Sequence, residues 1–196
     1  MPEMDPVPTI DPAPGADPVA VVTATLAGRR GTCWVGIDGF GAAGKTTLAA
    51  RIAAALPGSV VIHNDDFARP DLPGWDRARF VRQVVEPLLA GRPGRYQRWD
   101  FAADAGAEWH TVDVGVPVIV EGVSSTDARL PVPWDVTVWV DVPVAVRRAR
   151  IAARDGAALR ERWLIDWIPM EEAYAAQQRP WDRVDLVYAP RVPPAD

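Results

Sequence analysis

The chain has 196 residues, 48% of them hydrophobic, which suits one domain with a core of its own. A net charge of −5 and a pI near 5.1 argue against a nucleic-acid or membrane-surface partner. No apolar run reaches the length of a membrane span, and no basic-then-apolar signal pattern opens the chain, so a cytoplasmic protein is expected. The single cysteine, Cys33, excludes an intramolecular disulfide and falls on an apolar strand, where it reads as a small core residue.

Residues 1–18 alternate proline, aspartate and small side chains without an apolar period, which predicts a disordered or draped tail; residues 19–196 form the single folded domain. Val19–Ala27 predicts a short helix closed by Gly28. Thr32–Ile37 predicts the first strand, and Lys45–Leu56 an alanine-rich helix stopped by Pro57–Gly58. Ser59–His63 predicts a second strand. Asp76–Ala90 has helical apolar spacing with a bend expected at Pro87. Gly91–His110, rich in Arg, Trp and Asp, reads as irregular. Val116–Val120 and Val136–Val140 predict two more strands, and Val144–Arg154 a basic helix. Leu159–Gln178 predicts a further helix, restarted at Pro169, and Leu186–Tyr188 a last short strand. Near-continuous apolar strands alternating with helices predict a parallel sheet covered on both faces, with ligands at the carboxyl ends of its strands.

The most informative stretch lies between the first strand and its helix. Gly39-Phe-Gly-Ala-Ala-Gly44-Lys45-Thr46 fits G-x-x-x-x-G-K-[ST], the P-loop pattern. Gly39, Gly41 and Gly44 allow a backbone whose N–H groups turn inward around a phosphate chain, with Ala42 and Ala43 between them. The next helix, opening with Thr46 and Thr47, points its positive end at the same anion. Lys45 suits the β- and γ-phosphates, and the Thr46 hydroxyl suits Mg²⁺. Lys45 is also the chain's only lysine among 21 Lys+Arg, a compact point charge where a planar fork would not serve. A nucleoside triphosphate, with ATP the expected donor, is the ligand this stretch implies.

Topology brings other candidates to the same end of the sheet. Asp65 and Asp66 follow the second strand, and one of the pair is a candidate base for an acceptor hydroxyl. Glu121 ends the strand before Gly122, a usual place for a carboxylate that orients Mg²⁺. Arg147, Arg150 and Arg154 share one helix face, suited to a cationic lid. The segments around Trp75–Asp76 and Tyr96–Phe101 mix aromatic and hydrogen-bonding groups, as a small polar ring substrate requires. His63 and His110 read as structural histidines, and no Cys/His cluster suggests zinc.

IDGFGAAGKTTL, NDDF with its following proline, WDF, VIVEG and DVPVAVRRARIAARD, in that order, resemble the uridine kinase and phosphoribulokinase family. The Asp-Asp-Phe run also resembles nicotinamide riboside kinases. The likeness spans about Thr32 to Ala189. It implies an α/β P-loop three-layer sandwich with a five-stranded parallel sheet and a small arginine-bearing lid. It also implies ATP- and Mg²⁺-dependent transfer to a primary hydroxyl, most simply the 5′-hydroxyl of uridine or cytidine. By this resemblance Asp65 is the acceptor-side acid. Asp66, Phe67, Asp76, Trp99, Asp100 and Asp104 fall in substrate-contacting segments, and Arg147, Arg150 and Arg154 in the lid. Two departures bear on the acceptor: Asp104 stands where uridine kinases place a base-contacting histidine, and residues 155–158 lack the usual Arg-Gly-Arg. A kinase for another small alcohol and a regulatory ATPase are the alternatives. A GTPase switch is excluded, since its Asn-Lys-x-Asp signature needs a second lysine.

Overall fold

The computed structural model describes residues 16–69, 72, 74–101, 103–154 and 163–191. Its main sheet holds β1 (Cys33–Asp38), β2 (Val60–His63), β5 (Pro117–Glu121), β6 (Val136–Val140) and β7 (Leu186–Tyr188), all parallel, in the order β2-β5-β1-β6-β7. The central β1 is buried at every position, which is why its residues form a continuous apolar run rather than an alternating one.

Two cores cover the faces of this sheet. Cys33, Val35 and Ile37 of β1 point to one, where α1 (Pro18–Leu26) and α2 (Lys45–Ala55) contribute Val22, Leu26, Leu48, Ala49 and Ile52. Trp34 points to the other, together with Ile62, Val118 and Val120. That second core is closed by α3, a helix over residues 77–89 assembled from Arg77–Phe80, a π-helical stretch Val81–Val85 and Glu86–Leu89. The π stretch lies just ahead of Pro87, which lacks an N–H and crowds the carbonyl four residues back. Two further helices follow β6: α4 (Val144–Arg154), and α5 over residues 163–178, a π-helical stretch Trp163–Trp167 running into Ile168–Gln178. No helix among the described residues is long and apolar enough to cross a membrane.

Two expectations are corrected. Gly91–His110 is not irregular: β3 (Gly94–Asp100) and β4 (Ala105–Val112) pair antiparallel, with a register shift between Gln97 and Trp99. The charged residues that obscured this are partners across the ladder. Arg98 pairs with Glu108 at 2.7 Å, and the Arg95 guanidinium lies 4.6 Å from the Trp109 ring centre. Tyr96 and His110, directly opposed in register, stack at 5.2 Å. The second correction is at the amino end. Pro18 is already helical, and Asp17 caps α1 by accepting the Val19 N–H at 3.4 Å. Residues 1–15 of the expected tail lie outside the described residues, as do residues 155–158 of the expected lid.

Candidate active site

The carboxyl ends of β1, β2, β5 and β6 carry the P-loop, the 3-10 turn Asn64–Phe67, the Glu121–Thr126 turn and the approach to α4. The P-loop backbone follows its sequence logic at two glycines: Gly39 has φ 144° and Gly44 has φ 99°. Gly41 is different, because space rather than angle demands the glycine. A Cβ there would lie 2.4 Å from the Trp163 ring and 2.8 Å from Glu171 Oε1. Ala42, with φ 58°, takes one of the left-handed positions instead.

Lys45 is the first residue of α2 and is buried, its Nζ donating to the Phe40 carbonyl at 2.9 Å. Thr46 Oγ1 donates to Glu121 Oε1 at 2.9 Å. The same oxygen meets His63 Nδ1 at 2.6 Å, because His63 and Glu121 are register neighbours in β2 and β5. This contact holds the His63 pKa above its ordinary value. The two ligands expected for Mg²⁺ are therefore together. Hydroxyl and carboxylate oxygens are the hard donors that ion takes, usually with waters and nucleotide phosphates completing its shell. Thr47 follows on the exposed side of α2.

Asp65 and Asp66 diverge. Asp65 is exposed on the turn after β2, within reach of the charges of Lys45, Glu121 and His63. The surrounding protein raises its pKa first by desolvation and next through Glu121, against the opposing effect of Lys45. Asp66 is buried and accepts the Tyr96 hydroxyl at 3.2 Å, while its carbonyl accepts Arg79 Nη2 at 2.6 Å. Burial raises the Asp66 pKa, with His63 and the Tyr96 hydrogen bond opposing it.

Several expected substrate contacts have structural work. Phe67 is fully buried and packs on Phe80, Tyr96 and Trp75, so it belongs to the core. Asp76 caps α3 by accepting the Arg79 N–H at 2.8 Å and pairs with Arg69 at 3.4 Å. Trp75 is buried, its Nε1 donating to Ser124 Oγ at 3.1 Å. Trp99, Asp100 and Asp104 lie at the tip of the β3–β4 hairpin. There Asp100 accepts the Ala103 N–H at 3.1 Å, and Asp104 takes φ 50° in the exposed turn. His110 and Arg98, rather than the tip, are the hairpin side chains whose charge reaches Asp66.

The arginine face of α4 meets the P-loop from outside. Arg147 is buried with its guanidinium 4.3 Å from the Phe40 ring centre, and Phe40 in turn packs edge-on against Trp139. Arg150 Nη1 donates to the Ala42 carbonyl at 2.9 Å and the Ala43 carbonyl at 3.3 Å. Arg154 lies 5.9 Å from the Trp163 ring centre. Arg150 thus braces carbonyls of the loop itself, while Arg147 also donates from Nε to the Val142 carbonyl at 3.2 Å.

Asp38, Tyr174 and Glu171 escaped the sequence reading. Asp38, fully buried, accepts the Gly39 N–H at 2.7 Å, the Ser124 N–H at 2.8 Å, the Thr126 N–H and hydroxyl at 3.1 and 2.7 Å, and the Tyr174 hydroxyl at 2.6 Å. It ties the P-loop to the turn after β5 and to α5. Glu171, also buried, accepts the Gly41 N–H at 2.9 Å. Only Asp38 had a local signal, as the last residue of an apolar strand before the glycines.

No protein-family model matches the chain. A nicotinamide riboside kinase of Eremothecium gossypii is 27% identical over 164 residues, 68% of each chain. A protein of Bacillus stearothermophilus described as a possible uridine kinase superposes with a TM-score of 0.66 at 20% identity, over 87% of this chain and 96% of that one. A candidate fructose transport system kinase from Silicibacter sp. TM1040 superposes with a TM-score of 0.67 at 23% identity, over 88% and 100%. The chain has the fold of the P-loop nucleoside kinases. Its likeness to the uridine kinase-like P-loop kinases thus extends from the motifs to the parallel sheet and the helices on both its faces.

Proposed function

We propose that this chain is an ATP- and Mg²⁺-dependent phosphotransferase that moves the γ-phosphate to a primary hydroxyl of a small molecule in the cytoplasm. The leading acceptor is a ribonucleoside, through its 5′-hydroxyl. The observation that carries this reading is the junction of Thr46 Oγ1 with Glu121 Oε1 at 2.9 Å beside the charges of Lys45 and Asp65. A triphosphate site alone would need the P-loop and a metal anchor; an exposed carboxylate beside them is what an acceptor hydroxyl requires.

In this reading the P-loop amides and the amino end of α2 hold the triphosphate, and Lys45 neutralises charge on the transferring group. Thr46 and Glu121 would hold Mg²⁺, which when bound would neutralise charge on the nucleotide's phosphates. Asp65 orients the acceptor hydroxyl and takes its proton as the new O–P bond forms and the bond from the γ-phosphorus to its bridging oxygen breaks, with ADP as the leaving group. Its raised pKa makes it a stronger base than an ordinary surface carboxylate. Asp66 acts indirectly, fixing Tyr96 and with it the hairpin wall of the acceptor side.

Among acceptors, uridine and cytidine are supported by the order of motifs, and nicotinamide riboside by the curated relative, whose name carries that substrate. The test is a panel of nucleosides and small alcohols, incubated with ATP and Mg²⁺ and scored for ADP release with mass detection of the product. A phosphorylated nucleoside is the expected result. ADP release with no phosphorylated acceptor would favour a regulatory ATPase instead.

A further inference from the structure

Glu171 stands where an anion belongs. Its Oε2 accepts the N–H of Gly41 at 2.9 Å, and that amide lies in the loop built to present N–H groups to phosphate. Carboxylate and phosphate oxygens are both anionic acceptors for such a donor, so the two compete for it. The cations expected to greet a phosphate act on this carboxylate too: Lys45 and Arg147 favour its charged form, against the burial that pushes its pKa up. The fit is close. Glu171 is 5% exposed, and the space a Gly41 side chain would fill is already taken by Trp163 and by Glu171 itself.

The helix that carries Glu171 is attached to the loop at a second point. Tyr174, one turn further along α5, donates to Asp38, immediately before Gly39. A phosphate arriving at Gly41 would have to displace the Glu171 contact but would leave the Tyr174 contact intact. One contact is thus a latch and the other a pivot.

We propose that Glu171 is a built-in competitor of the nucleotide's phosphates: it holds the Gly41 N–H until a polyphosphate takes that donor, and α5 then swings about the Tyr174–Asp38 bond. The proposal rests on the triphosphate-binding half of the proposed function and is independent of the acceptor. The apparent affinity for nucleotide is set partly by the protein's own carboxylate, and nucleotide entry is coupled to the position of α5.

The experiment is calorimetric titration of the full chain with inorganic tripolyphosphate and with ADP, no acceptor being present. Wild type, Glu171→Ala, Glu171→Asp and Lys45→Ala are compared. Glu171→Asp keeps the charge but withdraws it by one methylene, and carries the test if the alanine variant does not fold. Both Glu171 variants are expected to bind tripolyphosphate about tenfold more tightly than wild type, as removal of a competing charge-assisted hydrogen bond implies. Equal or weaker binding in the variants, with wild-type melting behaviour, overturns the latch; a merely structural role for Glu171 predicts this weaker binding. Lys45→Ala is expected to bind more weakly. Wild-type affinity in that variant would overturn the polyphosphate reading itself, and the latch with it.

Discussion

The Tyr174 hydroxyl donates to Asp38 Oδ2 at 2.6 Å, bonding the last long helix to the residue that leads into the P-loop. Asp38 is fully buried, so each of its donors offsets part of the cost of desolvating a carboxylate. Tyr174→Phe keeps the ring and deletes one charge-assisted bond. A loss of about 1.5–3 kcal/mol in unfolding free energy is expected. Urea denaturation checks it: a midpoint unchanged from wild type would mean that Asp38 is satisfied by its backbone donors alone.

Lys45→Ala should abolish measurable phosphoryl transfer while the chain stays folded. Its Nζ contact is to a loop carbonyl rather than to a core carboxylate, so little stability depends on it. Loss of one preorganised cation at a developing charge costs about 10²–10³ in rate. Lys45→Arg should rescue poorly, because the planar guanidinium does not fit the space of an ammonium. Near wild-type turnover in the alanine variant would refute the role assigned to the loop.

The acidic pair after β2 separates by consequence. Asp65→Asn should lower kcat by about 10²–10⁴ with ATP affinity nearly unchanged, as expected for a base on the acceptor side. Asp66→Asn should instead lower the melting temperature, since Asp66 is buried against Tyr96. The pH profile adds a sign. Asp65 must be ionised to accept a proton and its pKa is raised, so activity should fall as pH drops through a value above the ordinary carboxylate range. An Asp66→Asn enzyme that is dead, beside an active Asp65→Asn enzyme, would reverse the assignment.

Asp127 predicts an acid-sensitive anchor. It is buried between Arg77 at 2.9 Å, Arg129 at 2.5 Å and Gln178 at 2.8 Å. Desolvation pushes its pKa up, but these partners, Arg129 foremost, outweigh that and hold it well below the usual carboxylate range. A folded pKa below the unfolded one gives stability that is present above the unfolded value. That stability is lost as pH falls through the folded one. Asp127→Asn should cost about 1.5–3 kcal/mol at neutral pH, as loss of hydrogen bonds to a charged group implies. The gap between wild type and variant should narrow as the solution is acidified, measured by urea unfolding at a series of pH values. A gap independent of pH would show that the side chain's shape, not its charge, matters.

Legibility in the sequence followed the range of the interactions. Val136–Val140, Val144–Arg154 and Leu186–Tyr188 have the bounds that apolar run and helical spacing predict. Thr46 and Glu121 meet because topology sends the loop and helix start after β1 and the end of β5 to one edge of the sheet. The hairpin was hidden for a physical reason. Its strands bury little beyond Tyr96 and Val112, and Phe101–Asp104 turns without glycine or proline to mark it. Glu171 and Tyr174 were invisible for another. Their partners Gly41 and Asp38 lie far away along the chain, and no local spacing signals such a contact. Asp76 and Phe67 fit a substrate-site pattern, yet a cap and a core position draw on the same residue types.

The burial of Lys45 has a consequence for how this protein can be handled. With no other lysine in the chain, every other basic side chain apart from the two histidines is a guanidinium, which resists acylation and keeps its proton. An amine-directed reagent that reaches a side chain therefore reports on a single position, and that position is the phosphate loop. Covalent labelling of Lys45, followed by peptide mass, becomes a footprint of loop occupancy that needs neither a chromophoric ligand nor a known acceptor.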